Sequence, residues 1–163
     1  MQIRTYPDPI LKEETEKIED FSAELARITE EMIKHMYLFQ GVGLASLQVG
    51  ITKRVFVFDA SEDRDEPMIM INPEITGSSK ERQDFEEGCL SVPGIRQNVK
   101  RPISIVLAWQ DLEGTSHEQE FDGLAARVIQ HELDHINGIL FIERLSTMQK
   151  IFIKKDLKKL GNA

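Results

Sequence analysis

The pentapeptide His131-Glu132-Leu133-Asp134-His135 constrains this chain more than any other stretch. Four residues advance an α-helix by slightly more than one turn, so the two histidines lie only about 40° apart on one helical face. Their imidazoles can converge on one metal ion. Glu132, beside the first of them, can reach a water in the open position instead of the ion itself. A lone histidine is usually a structural residue. Two at this spacing, with a glutamate and inside an apolar-faced helix, point to a metal centre.

A catalytic centre of this kind takes a third protein ligand and leaves a fourth position open. The single cysteine, Cys89, lies in Glu86-Glu87-Gly88-Cys89-Leu90-Ser91-Val92-Pro93. There Gly88 allows close backbone approach and Pro93 limits the segment's freedom. The residues alone leave Cys89 three readings: a metal ligand, a small buried apolar residue, or a nucleophilic thiol paired with histidine. A remote carboxylate or a third histidine could also complete the set, although His35 and His117 belong to no motif. One cysteine forbids an intrachain disulfide, which suits a reducing, cytoplasmic location. A third feature is Gly41-Val42-Gly43-Leu44-Ala45-Ser46-Leu47-Gln48-Val49-Gly50. It lacks the lysine and hydroxyl of a P-loop and follows no strand, so it is not a phosphate cradle. It offers a small-residue surface and one amide, Gln48, or simply joins a helix to a strand.

Around these motifs the pattern is α+β. Leu25, Ile28, Met32, Met36 and Phe39 recur at helical spacing and predict a helix over 22–40, capped by Ser22. Strands are predicted over 54–58, 68–71, 103–109 and 116–121, and helices over 124–137, ended by Gly138, and 147–160. The order is helix, then strands, then helices, without regular β-α-β alternation. That favours mixed or antiparallel sheets packed around the histidine helix, with a C-terminal helix. The 163 residues, 40% hydrophobic and 29% charged, suit one globular domain spanning 1–163 with no membrane span. The net charge of −8 argues against a generic DNA binder. It is uneven: residues 147–163 carry five lysines against Asp156, a net +4, leaving −12 on the rest.

Together the segments resemble the peptide deformylase family, whose pattern is GxGLAAxQ, then EGCLS, then HExDH on a helix. Here they stand as GVGLASLQ at 41–48, EGCLS at 87–91 and HELDH at 131–135, with Tyr6-Pro7-Asp8-Pro9 like the family's opening. Ser46 replaces the usual alanine, and Ile136 the commoner leucine; both changes are mild. The resemblance covers essentially the whole chain. It implies a hydrolase that takes the formyl group from N-formylmethionyl nascent peptides. Carried over by residue, Cys89, His131 and His135 hold one divalent metal. Iron(II) is expected physiologically, with zinc, nickel or cobalt able to substitute. Glu132 is then general base and acid, and the Gln48 amide and Leu90 N–H hold the oxyanion. Leu124 and Val128, on the His131 face, and Val42 would line the methionine pocket. Gly43 and Leu44 would lie beside the substrate backbone, with Glu87, Gly88 and Arg96 also at the peptide-binding cleft.

Two other classes remain. HExxH also marks zinc peptidases, which usually take a downstream glutamate or histidine as third ligand. A metal-stabilised binding module without catalysis is the other. The lysine-rich tail reads either as a solvated helix face or as a docking surface for the ribosome.

Overall fold

Leu25, Thr29, Met32 and Met36 recur every three or four residues and are buried along one side of α1 (Ala23–Leu38). They meet β1 (Gly43–Ala45) and β2 (Val55–Phe58). All four residues of β2 are buried, because the strand is covered on both faces. Val55 and Val57 join the α1 cluster with Met32, Met36 and Leu44. Phe56 and Phe58 face the other way, onto Ala126, Ile129 and Leu133 of α2 (Gly123–Ile136).

The computed structural model describes residues 1–162; Ala163, the last residue of the lysine-rich tail, lies outside the described residues. The remaining elements are β3 (Met68–Ser78), β4 (Arg82–Cys89), β5 (Val92–Pro102), β6 (Ser104–Gln110), β7 (Ser116–Asp122) and α3 (Thr147–Gly161). The five-stranded sheet runs β1-β2-β3-β6-β7, antiparallel throughout. Ile105, Leu107 and Trp109 of β6 and Phe121 of β7 extend the α2-facing core. This is the α+β architecture with antiparallel sheets and a C-terminal helix that the element order predicts.

Three differences from the sequence reading have physical causes. β3 runs seven residues past Ile71, through register shifts at Ile71/Glu74 and Ile75/Gly77. Asn72 takes φ 50° there, and its side chain bonds Ile18 and Gln110, so the strand bulges around Pro73 instead of stopping. The β4–β5 ribbon was not predicted at all. Four of the first six residues of β4 are exposed polar ones, and its apolar Phe85 is exposed as well, so no apolar alternation shows, while Ile95 and Val99 in β5 are spaced as in a helix. Finally, α3 buries Ile153 and half-buries Leu157 and Leu160 against Val92, Val99 and Phe141. Its other apolar residues, Met148, Ile151 and Phe152, face solvent. No helix among the described residues is long and apolar enough to cross a membrane.

α2 is the element that matters for the site. Every residue from Val128 to Ile136 is buried, since the helix runs between the large sheet and the β4–β5 ribbon. Its polar residues therefore need partners inside the protein. Gly138 ends the run at φ 72°, and a Cβ there would come within 2.8 Å of the Lys12 and Glu13 backbone.

Candidate metal centre

Cys89 is the last residue of β4, and Leu90-Ser91 form the turn into β5, with Cys89 opposite Val92. This turn carries the thiol to the buried face of α2. Cys89 Sγ lies 3.1 Å from His135 Nε2. One donor atom from each of Cys89, His131 and His135 falls within 4.8 Å of the others. Two imidazoles and a thiol are a donor set suited to zinc, iron, cobalt or nickel. Burial by itself would push the Cys89 thiol up, but His135 and His131 pull it well below its ordinary value. A thiolate is the form that binds metal. Burial would likewise lower His131, yet hydrogen bonds to Cys89 and Glu87 hold it well above its ordinary value. Cys89 Sγ meets His135 through Nε2, and a cation seated among the three donors would take the place of that contact. The residues fit a divalent metal.

Glu132 points at the same spot. It is only 4% exposed, and its Oε2 has no hydrogen-bond partner. Burial pushes its carboxyl up to about 7, against the pull of His131 and His135. A carboxyl poised near neutrality is suited to taking and returning a proton. Gly43 touches it. A Cβ at Gly43 would overlap Glu132 Oε1 and lie 2.7 Å from its Cγ, so the first strand of the sheet reaches the acid only because this residue is glycine.

Gln48 lies beside the cysteine. Its Oε1 accepts from the Ala45 N–H at 2.9 Å, which turns the amide NH2 toward Ser91 Oγ at 3.1 Å and Cys89 Sγ at 3.5 Å. The Ser91 N–H also reaches the sulfur, at 3.3 Å.

A cleft of about 520 Å³ opens beside these groups. It is lined by Val42, Gly43, Gly88, Leu90, Leu124 and Val128, among others, and by Arg96 at its rim. Arg96 is largely exposed and donates to Glu86 at 2.8 Å. Gly88 leaves it room, because a Cβ there would lie 2.8 Å from the guanidinium. Leu44 differs from its neighbours: its side chain is fully buried in the α1 core, so only its backbone is at the strand edge. Glu87 borders the cleft too, and its carboxylate accepts from His131 Nδ1 at 2.9 Å, behind that imidazole.

Glu87 leads to residues that the motifs do not single out. Arg101 of β5 grips it with two hydrogen bonds, at 2.7 and 3.0 Å, and reaches Asp134 at 2.9 Å. Arg127 adds a second guanidinium on Glu87 at 2.9 Å, and Arg144 holds Asp134 at 2.6 and 3.1 Å. Burial would raise Glu87, but the His131 and Arg101 bonds hold it far below the usual carboxylate range. The only hint in the sequence is Asp134 inside the histidine pentapeptide; the arginines are spread over 43 positions. His35 and His117 lie elsewhere, beside Glu31 and Asp111.

The polypeptide deformylase family model matches residues 1–151. A peptide deformylase of Novosphingobium aromaticivorans is 40% identical, covering 99% of this chain and 97% of that protein. One from Zymomonas mobilis is 41% identical, covering 98% and 93%. Among solved structures, a Plasmodium falciparum peptide deformylase superposes with a TM-score of 0.94 at 36% identity, covering 99% and 95% of the two chains. The Thermotoga maritima peptide deformylase gives 0.85 at 43% identity, covering 89% and 97%.

Proposed function

The chain belongs to the peptide deformylase family, and from that premise we propose that Cys89, His131 and His135 hold its metal while Glu132 moves the protons. The family is metal-dependent and removes the formyl group from the N-terminus of newly made proteins. The observation that carries the residue assignment is Glu132: a buried carboxylate without a partner, beside three converged donors. A bound divalent metal would acidify water and polarise the formyl carbonyl. Iron(II) is the reading for the cell, with zinc, nickel or cobalt as substitutes.

Glu132 takes a proton from the attacking water as the water's oxygen bonds to the formyl carbon. The oxyanion that develops is met by the Gln48 NH2 and the Leu90 N–H, donors of a kind whose removal costs about 3–4 kcal/mol. Glu132 then gives its proton to the leaving nitrogen, the carbon–nitrogen bond breaks, and formate departs from a free methionyl amine. His131 is held in place meanwhile by Glu87 and Arg101. The methionine side chain is assigned to Val42, Leu124 and Val128, and the peptide backbone to the Gly43–Leu44 edge, with Gly88 and Arg96 beside it. Residues 1–163 act as one catalytic unit. A reducing cytoplasm is the place for it, because oxidation would remove the Cys89 thiolate.

Anaerobically purified protein, given formyl-Met-Ala and unformylated peptides, is expected to release formate from the first and cleave nothing in the second. Internal peptide cleavage would point to the zinc-peptidase reading, which the upstream position of Cys89 disfavours.

The lysines of α3 stand beside exposed Met148, Ile151 and Phe152, which supports docking on the ribosome. Replacing Lys154, Lys155 and Lys158 by Glu should abolish co-sedimentation with ribosomes and leave formate release from free peptides intact. Unchanged co-sedimentation rejects the docking.

A further inference from the structure

The loop joining β2 to β3 carries four exposed acidic residues, Glu62, Asp63, Asp65 and Glu66, besides the buried Asp59. Arg64 in their midst does the opposite. It adopts φ 57°, a left-handed conformation that a long side chain rarely takes. It turns inward, and its Nη2 donates to the Gly41 carbonyl at 2.6 Å. Its guanidinium lies 5.5 Å above the Tyr37 ring at the end of α1.

The same loop holds the next carbonyl as well. The Asp59 N–H donates to Val42 O at 2.9 Å. The Asp59 carboxylate is saturated from the loop and from α1: it accepts from the Ser61 N–H at 2.9 Å, the Ser61 hydroxyl at 2.6 Å, the Tyr37 hydroxyl at 2.5 Å and the Glu66 N–H at 3.2 Å. Burial and the Asp59 bond push Tyr37 up to about 12, so its hydroxyl remains a donor. Two successive carbonyls leading into β1 are thus fixed by one hydrogen-bonded loop. The Asp59 bond carries the β1–β2 ladder one rung past Gly43, and the Arg64 bond adds a side-chain anchor that a ladder does not supply.

What those bonds hold is the wall of the cleft. Gly41, Val42 and Gly43 line it, and Gly43 abuts Glu132. β1 is an edge strand, paired only with β2. An extended peptide laid on such an edge gains main-chain hydrogen bonds only if the edge is already in register. Resting on the reading that the substrate backbone lies along Gly43–Leu44, we propose that Arg64 and Asp59 clamp Gly41 and Val42 and so set the peptide-binding edge. Arg64 is a positioning residue; it touches no reacting atom.

The test compares wild type with Arg64→Ala and Arg64→Lys, using formyl-Met-Ala-Ser as substrate and backbone amide exchange as the second readout. Arg64→Ala should raise KM about tenfold with kcat and metal content near wild type, the signature of lost binding present in ground and transition states alike. Exchange at Val42, Gly43 and Leu44 should accelerate at least about tenfold while α2 amides stay protected, and Arg64→Lys should restore part of both. Unchanged exchange at 42–44 overturns the clamp. So does a fall in kcat with KM unmoved, or acceleration spread evenly over the chain, which would mark Arg64 as merely structural. Separately, saturating Met-Ala-Ser should slow exchange at Gly43 and Leu44 of the wild type. If it does not, the strand-edge reading fails, and the variants' exchange at 42–44 still decides the clamp.

Discussion

Glu132→Gln should lower formate release by about 10³-fold or more while the protein still binds one metal per chain. General acid–base groups contribute about 10²–10⁴-fold, and Glu132 serves both proton transfers in the assigned mechanism, which places the loss at the upper end. Glutamine keeps the shape beside Gly43 and removes only the ability to exchange a proton. Its amide also needs no ionisation in a site that is 4% exposed. That gives a second readout in the metal-free protein. The Glu132 carboxyl is raised from its ordinary value to about 7 by burial. The native state therefore keeps a proton that the unfolded chain gives up, and stability present at low pH is lost as pH rises from about 4.5 through 7. The loss is roughly 3 kcal/mol for a shift of that size. Metal-free Glu132→Gln should escape it, gaining on metal-free wild type between pH 5 and pH 8 in urea unfolding. Near-normal formate release by Glu132→Gln would remove Glu132 from the mechanism.

Arg101→Met should be the most damaging substitution outside the donor set, at about 3–5 kcal/mol of stability. The side chain is 5% exposed and bridges two carboxylates that are themselves nearly sealed from solvent. Removing one partner of a buried ion pair leaves charge without compensation, which costs far more than a surface pair is worth. Arg144 and Arg127 still reach Asp134 and Glu87, so the protein should fold at reduced stability and the defect can be measured. The metal should feel it too. Glu87 orients His131 through Nδ1, and loosening a partner of this kind typically costs 10–100-fold in metal affinity. Arg101→Lys keeps a charge but not the two-pronged grip on Glu87, and should fall between. Stability within 1 kcal/mol of wild type, by the same urea titration, would show that Arg101 is dispensable.

The sequence makes the histidine motif legible and hides what supports it, for a physical reason. His131, Glu132 and His135 are tied by helical spacing within five residues, and Gly43 and Gln48 by a short loop, so local pattern finds them. Arg101 and Arg144 meet Glu87 and Asp134 only because β5 and the turn after α2 fold onto one another. Nothing in an isolated arginine announces that it will be buried. The β4–β5 ribbon escaped for a related reason: a mostly exposed, two-stranded arm has little apolar alternation to read. Yet that arm delivers Cys89, whose role the local sequence left open among three readings. Leu44 and Glu87 do more than their motifs show: strand alternation sends the Leu44 side chain into the α1 core and leaves its backbone at the strand edge, and Glu87 borders the cleft while its carboxylate holds His131.

X-ray absorption at the metal edge of anaerobically purified protein tests the central assignment most directly. One sulfur at about 2.3 Å and two imidazole nitrogens at about 2.0–2.1 Å are expected, with the sulfur contribution lost in Cys89→Ser. A coordination shell without sulfur, or one unchanged by that substitution, would contradict it.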